Sequence, residues 1–274
     1  GLWNLKGWQW LFLLEGLPGV VGGGVTWFFL NDTPDQASWL DKEEKQALKT
    51  MIARERESAT VIPASGRSTL REVLTPAVLM YTLAYFCLTN TLSAINIWTP
   101  QILQSFNTGS SNIVIGMLAA IPQFCTIFGM IWWSRRSDRR KERKMHTILP
   151  YLFAAAGWLL ASATHHALIQ LIGIIMASVG SFTAMAIFWT TPDRVISLQS
   201  RAVALAVINA IGNIGSAVSP LLIGILRDAT GSFSSGLWFV AGLLVVGALV
   251  LTRIPMSARE DAAAEAGLAA QKSH

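Results

Sequence analysis

From Val73 to Ser134 this chain carries no Asp, Glu, Lys or Arg, and the silence ends in Arg135-Arg136-Ser137-Asp138-Arg139-Arg140-Lys141-Glu142-Arg143-Lys144. A soluble domain does not leave so long a stretch uncharged. A membrane protein must, because a charge at the bilayer centre costs on the order of 3 kcal/mol or much more. Only 14% of the 274 residues are charged and 52% are hydrophobic, whereas soluble chains average about 25% charged. The net charge of +5 does not point to nucleic acid. The basic residues lie in loops between apolar runs, not on one face of a polar domain.

A helix crossing ~30 Å of hydrocarbon needs about 20 apolar residues. Seven runs qualify: 8–30, 76–102, 113–133, 147–164, 167–191, 202–226 and 233–252. The polar run Gln104–Asn112, with Gly109, divides the uncharged gap, and Thr164–His166 divides the next one. Of the 21 Lys and Arg residues, all but Lys6 and Arg227 fall in the loops of one side. By the positive-inside rule that side is cytoplasmic, the first residues lie outside and the tail lies inside.

The pattern predicts an all-α, polytopic transmembrane bundle in four parts. Residues 1–30 are the last helix of one bundle, 31–75 a cytoplasmic linker, 76–252 a six-helix bundle and 253–274 a cytoplasmic tail. Within the linker, Asp41 and Glu44 make a capping box that opens a surface helix over 42–56. Ser58–Ser68, with Pro63 and Gly66, is a linker, and Thr69 with Glu72 signals another helix start. One span, a long linker and six closely connected spans match a transporter built from two repeated halves, with substrate held between them. Gly1 opens partway into such a plan, so a fragment is expected.

Three stretches carry a family resemblance. Gly7-Trp8-Gln9-Trp10-Leu11-Phe12-Leu13-Leu14-Glu15-Gly16-Leu17-Pro18 resembles a sixth helix of the major facilitator superfamily, in its anion:cation symporter branch. Gly129-Met130-Ile131-Trp132-Trp133-Ser134 running into Ser137-Asp138-Arg139 resembles the second copy of the superfamily's loop motif. Val207-Ile208-Asn209-Ala210-Ile211-Gly212-Asn213-Ile214-Gly215, with Asp228-Ala229-Thr230-Gly231-Ser232-Phe233, resembles its eleventh helix and following loop. Ala94-Ile95-Asn96-Ile97-Trp98-Thr99-Pro100-Gln101 and Phe188-Trp189-Thr190-Thr191-Pro192-Asp193 extend the likeness toward permeases of 4-hydroxyphenylacetate, an aromatic acid carried with protons. The resemblance implies helices six to twelve of twelve, a bacterial inner membrane, a small organic acid as substrate and H+ as coupling ion. It implies the N-terminal half of the same transporter as partner, with no further cofactor. Arg135-Arg136 makes the loop motif looser than the family pattern.

Several polar residues inside the spans could carry chemistry. Asn209, Asn213 and Ser216 are spaced to share one helical face, either as bonds between helices or as a cavity wall that donates to a carboxylate or phenol. Thr89, Ser93 and Asn96 share a face of another span, with Asn90 adjoining, and packing is as good a reading as substrate contact. Phe188 and Trp189 could stack on a substrate ring or anchor at the interface. Gln123, beside Pro122, is a weaker candidate. Glu15 is the one acidic residue within a proposed span, hence a proton-coupling candidate. Asp138, Arg139 and Arg143 could form a gating loop or simply set topology. His165 and His166 are adjacent with no third ligand, and Cys87 and Cys125 lack ligand spacing. No hydrolase motif or phosphate-cradling loop is present, so an enzyme is not expected. The rivals to a transporter are a seven-helix receptor and a transport-inactive membrane fragment.

Overall fold

The structure is a computed structural model that describes residues 6–60, 74–106, 109–164, 166–196 and 200–254. The chain divides into two compact units, residues 1–63 and 64–274. The described residues are mainly helical, without strands, and seven helical stretches, one of them Arg201–Thr230 with a break inside it, are long and apolar enough to cross a membrane.

In the first unit, α1 (Gly7–Phe29) begins where the Gln9 side chain accepts from the Lys6 backbone N–H at 2.8 Å. Pro18 lies inside it, and none of its residues is buried. The second helix, α2 (Lys42–Thr60), starts at the expected capping box. Glu44 N–H donates to Asp41 Oδ1 at 2.8 Å, and Asp41 N–H donates to Glu44 Oε2 at 3.1 Å. Lys49 Nζ pairs with Asp35 at 2.5 Å, and Lys45 donates to the Asp35 carbonyl at 3.1 Å. The helix thereby holds the turn that precedes it. The helix start at Thr69–Glu72 and nearly all of the tail lie outside the described residues.

The second unit is built around α3 (Pro76–Phe106). Proline suits the first helical position because its missing N–H has no intrahelical role there, and Thr75 caps the Val78 N–H at 3.3 Å. Around α3 lie α4 (Asn112–Arg140), α5 (Lys144–Ser162), α6 (Ala167–Phe188) and the short α7 (Pro192–Val195). Beyond these come α8 (Arg201–Gly212), α9 (Ile214–Thr230) and α10 (Ser234–Arg253). Helix α3 touches α4, α6, α8, α9 and α10, while α5 packs between α6 and α10.

Without a hydrophobic force between helices in lipid, close packing and interhelical hydrogen bonds hold such a bundle. Both are concentrated at α5, α6 and α3. A Cβ on Gly157 would lie 2.5 Å from the Ala177 nitrogen, one on Gly173 2.6 Å from the Ala161 nitrogen, and one on Gly180 2.6 Å from the Pro150 carbonyl oxygen. These three glycines let the α5 and α6 backbones touch. Buried donors stitch the same region: Trp158 Nε1 to Thr91 Oγ1 at 2.8 Å, Tyr151 Oη to the Ala84 carbonyl at 3.0 Å, and Thr126 with Ser178 at 2.9 Å.

Most helix ends differ from the expected span limits by a few residues, and three of the differences have a clear physical reason. Helix α4 does not stop at 133. It runs through the basic segment to Arg140 and ends only where Lys141 turns left-handed at φ 52°. Arg and Lys are good helix formers and sit favourably at a helix C-terminus, so nothing in 134–140 breaks the helix. Helix α6 ends at Phe188 rather than 191. Thr190 and Thr191 turn their hydroxyls onto the carbonyls of Ile187 and Phe188, both at 2.7 Å, and Pro192 has no N–H to offer the Phe188 carbonyl four residues back. The span expected at 202–226 is two helices meeting at Asn213. The Gln104–Asn112 break stands as expected, with Gly109 at φ 102°.

The glycine contacts give a paired prediction. Gly173→Leu should lower stability by about 2 kcal/mol or more, because a tight core resists added volume. Gly116→Leu, where a Cβ meets nothing within 4 Å, should be near neutral. Thermal unfolding in detergent distinguishes the two, and equal melting points would contradict the packing described.

Candidate functional site

The break between α8 and α9 organises the polar residues of the second unit. At Asn213 the chain changes hydrogen-bond register: Ser216 N–H donates to the Asn213 carbonyl at 3.0 Å instead of to Gly212. Four residues beyond Ser216, Pro220 has no N–H to offer the Ser216 carbonyl. Two carbonyls left over, those of Gly212 and Ser216, and the Gly215 carbonyl between them are met from α3. Thr89 Oγ1 donates to Gly212 O at 2.6 Å, Asn90 Nδ2 to Gly215 O at 3.2 Å, and Ser93 Oγ to Ser216 O at 2.8 Å.

Glycine makes this approach possible. A Cβ on Gly212 would collide with the Tyr85 ring, and one on Gly215 would collide with the Phe86 carbonyl and come within 2.6 Å of Thr89 Oγ1. Backbone therefore lies against backbone at the break.

The two asparagines of the break are exposed. Asn213 Nδ2 donates to the Asn209 carbonyl at 2.9 Å and also contacts Asn209 Oδ1. They share a side as their spacing predicts, but at a helix junction rather than along one continuous helix, because the register change and Pro220 interrupt the ladder. The phenol of Tyr85 makes polar contact with the side chains of Asn213 and Trp189. The Trp189 ring meets Tyr85 edge-on at a centroid distance of 4.9 Å, and Phe188 stacks on Tyr85 at 5.4 Å. Asn209, Asn213, Tyr85 and the half-buried Trp189 thus form one polar and aromatic patch. Asn96 is exposed one turn beyond Ser93, and Pro100 leaves its carbonyl without the usual helical donor.

Two sequence candidates have different roles. Asn90 is fully buried, with its amide spent on Gly215 and its Oδ1 lacking a donor. That takes it out of the substrate-facing set and makes it a packing residue. Phe188 is also fully buried, so of the aromatic pair only Trp189 presents a face. Gln123 is exposed on α4, and no hydrogen bond described in the structure joins it to this patch. Glu15 is exposed on α1 in the first unit. Tyr85 went unrecognised in the sequence, where it reads as one more core aromatic. Its signal is the spacing Tyr85, Thr89, Ser93, one residue per turn on the face that meets the break.

The basic segment is an ordered corner and not the loop expected from sequence. Asp138 and Arg139 lie in the last turn of α4, and Arg143 is the residue just before α5. Arg143 donates to Asp138 Oδ1 at 2.5 Å and to Ser137 Oγ at 3.0 Å, while Ser137 donates to the Glu142 carbonyl at 3.1 Å. Glu142 in turn meets His146 Nδ1 at 2.6 Å. Arg139 is exposed outside this network.

The sequence profile described as Major Facilitator Superfamily matches residues 1–220. A protein of Agrobacterium vitis provisionally named a tartrate transporter is 38% identical, over 91% of this chain and 55% of its own. A quinolone resistance transporter of Acinetobacter baumannii is 34% identical, over 93% and 58%. A provisionally named metabolite transport protein of Pseudomonas putida, NicT, is 29% identical, over 92% and 57%. The chain spans little more than half the length of these relatives.

The carbonyl clamp makes a specific energetic prediction. Ser93→Ala should cost about 1–2 kcal/mol by stranding the Ser216 carbonyl. In a Pro220→Ala background the restored N–H can serve that carbonyl, so Ser93→Ala should cost measurably less. A double-mutant cycle on unfolding in detergent reads the coupling, and additive costs would show that the two residues do not share that acceptor.

Proposed function

Because the chain belongs to the Major Facilitator Superfamily, we propose that it is part of a proton-coupled secondary transporter that imports an organic anion. Substrate lies against the Asn96, Asn209, Asn213 and Trp189 surface, with the buried Tyr85 supporting it from behind, and the remaining wall comes from the N-terminal half of the same transporter. The family match replaces the seven-helix receptor reading.

The observation that carries this proposal is the exposed junction at Asn213. Charged groups are costly inside a bilayer, and here the span presents amides, which can donate to a carboxylate without bringing a buried charge. Trp189 supplies an apolar aromatic face beside those donors, held in place by the buried Tyr85, which suits an aromatic acid such as 4-hydroxyphenylacetate and the anion:cation symporter branch. The relative named for tartrate transport supports an acid of some kind and favours a hydroxy-dicarboxylate as the competing substrate. The relative named for quinolone resistance supports a second reading, export of a drug. Glu15 is the proposed proton carrier, being a carboxylate within a candidate span, and the basic corner at Asp138, Arg139 and Arg143 the proposed gate. Alternating exposure of the patch to the two sides supplies the transport step.

Cells expressing the full-length transporter should accumulate labelled 4-hydroxyphenylacetate, and a protonophore should abolish the uptake. Asn213→Ala should lower uptake about tenfold or more without lowering membrane abundance, as expected for a lost hydrogen bond to a charged group. Glu15→Gln should remove the proton dependence. Uptake of tartrate alone would leave the organic-acid reading and remove the aromatic one. Uptake of neither, with lowered quinolone accumulation, would replace import by drug export.

A further inference from the structure

A second region of the bundle, made from other helices, has the form of a lipid site. Between α4, α5 and α6 lies a groove of about 620 Å³ lined by Trp132, Trp133, Leu149, Phe153 and Val179 among others, nearly all apolar. Trp132 also borders a second hollow of about 580 Å³, whose remaining wall includes Arg135, Arg136, Arg139 and Arg140. One tryptophan therefore joins an apolar groove to a cluster of four guanidinium groups.

The arrangement follows from helix geometry. Residues four apart stack along one face, so Phe128, Trp132, Arg136 and Arg140 form a single stripe that changes from apolar to cationic along its length. The stripe exists because α4 continues to Arg140; an irregular loop after 133 would scatter the arginines. Arg136 lies over the Trp132 ring at 6.0 Å. The acid nearest in sequence, Asp138, is committed to Arg143, and among the described residues none of the four arginines is in an ion pair. Trp132 is 62% exposed and Phe128 71% exposed, so the stripe faces outward from the second unit.

We propose that this stripe and groove bind an anionic phospholipid from the bilayer. Its phosphate sits among Arg135, Arg136, Arg139 and Arg140, and one acyl chain lies along Trp132 into the groove between α4, α5 and α6. The charge argues for an anionic headgroup: four uncompensated cations at the end of a membrane helix attract negative lipid. The apolar groove argues for a lipid over a free anion, since inorganic phosphate has nothing to place there. Bound lipid would brace the corner at which α4 turns into α5, the same corner held by Arg143 and Asp138.

Native mass spectrometry on the purified full-length protein tests this, with phosphatidylglycerol and phosphatidylcholine of identical acyl chains. The wild type should retain phosphatidylglycerol in roughly tenfold preference. Replacing Arg135 and Arg136 by Gln should bring that preference close to parity, whereas replacing both by Lys should keep most of it. Leu152→Trp, which fills the groove and leaves the arginines in place, should lower retention of both lipids. Equal retention of the two lipids by the wild type would overturn the proposal, as would an unchanged preference in the Gln variant or its loss in the Lys variant. Displacement of phosphatidylglycerol by an equal concentration of inorganic phosphate would show a free-anion site and overturn it as well.

Discussion

A backbone carbonyl freed inside a bilayer has no water to turn to, so the protein itself must supply the donor. That rule governs the second unit at its most irregular point. The register change at Asn213 and the missing N–H of Pro220 free carbonyls between α8 and α9. Thr89 and Ser93 of α3 meet two of them, and Asn90 bonds the Gly215 carbonyl between. The central helix therefore does more than fill the bundle. It replaces part of the hydrogen-bond ladder of its neighbour, and the glycines at 212 and 215 exist in a space that a side chain would close. The exposed asparagines depend on the same arrangement, because the junction that needs the donors also turns Asn209 and Asn213 outward.

Much of the fold was legible because membrane solvation writes on composition. The uncharged stretch from Val73 to Ser134 and the breaks at Gly109 and Thr164–His166 locate spans by a physical cost, and the helices fall there. The Asp41–Glu44 box was legible because capping is local chemistry between residues three apart. The errors share a cause. The end of α4 and the break at Asn213 are decided by hydrogen bonding and continuation of backbone geometry, to which hydropathy is blind. A basic run looks like a loop by composition, yet Arg and Lys extend a helix readily.

The candidate site was legible as a set of residue types and not as an assembly. Asparagines in an apolar span are visible at once, but their exposure is set by the helices around them. Asn90 and Asn96 look alike in sequence and are opposite in structure, one fully buried and the other exposed. Tyr85 was missed for the complementary reason. An aromatic residue in an apolar span is ordinarily packing, and only the break across from it gives its phenol polar neighbours. Thr89 and Ser93 were ambiguous between packing and substrate contact. The structure gives each a carbonyl to satisfy, and that need exists whether or not substrate is present.

The distribution of charge then constrains how such a half can work. The patch is made of amides on α3 and at the α8–α9 junction, a phenol on α3 and an indole at the end of α6, groups that can hydrogen-bond an anion without neutralising it. Neutral donors are cheap to keep in the bilayer, whereas an unpaired cation would need a permanent partner or would resist burial. A surface of this kind can orient a carboxylate and release it, but it cannot supply the charge that makes anion entry favourable. On the proposed function, that charge has to arrive with the proton or from residues outside 64–274. Glu15, the proposed proton carrier, lies in the other unit, so on this proposal the labour is divided: one part of the transporter reads the shape and donor pattern of the acid, and another accounts for its charge.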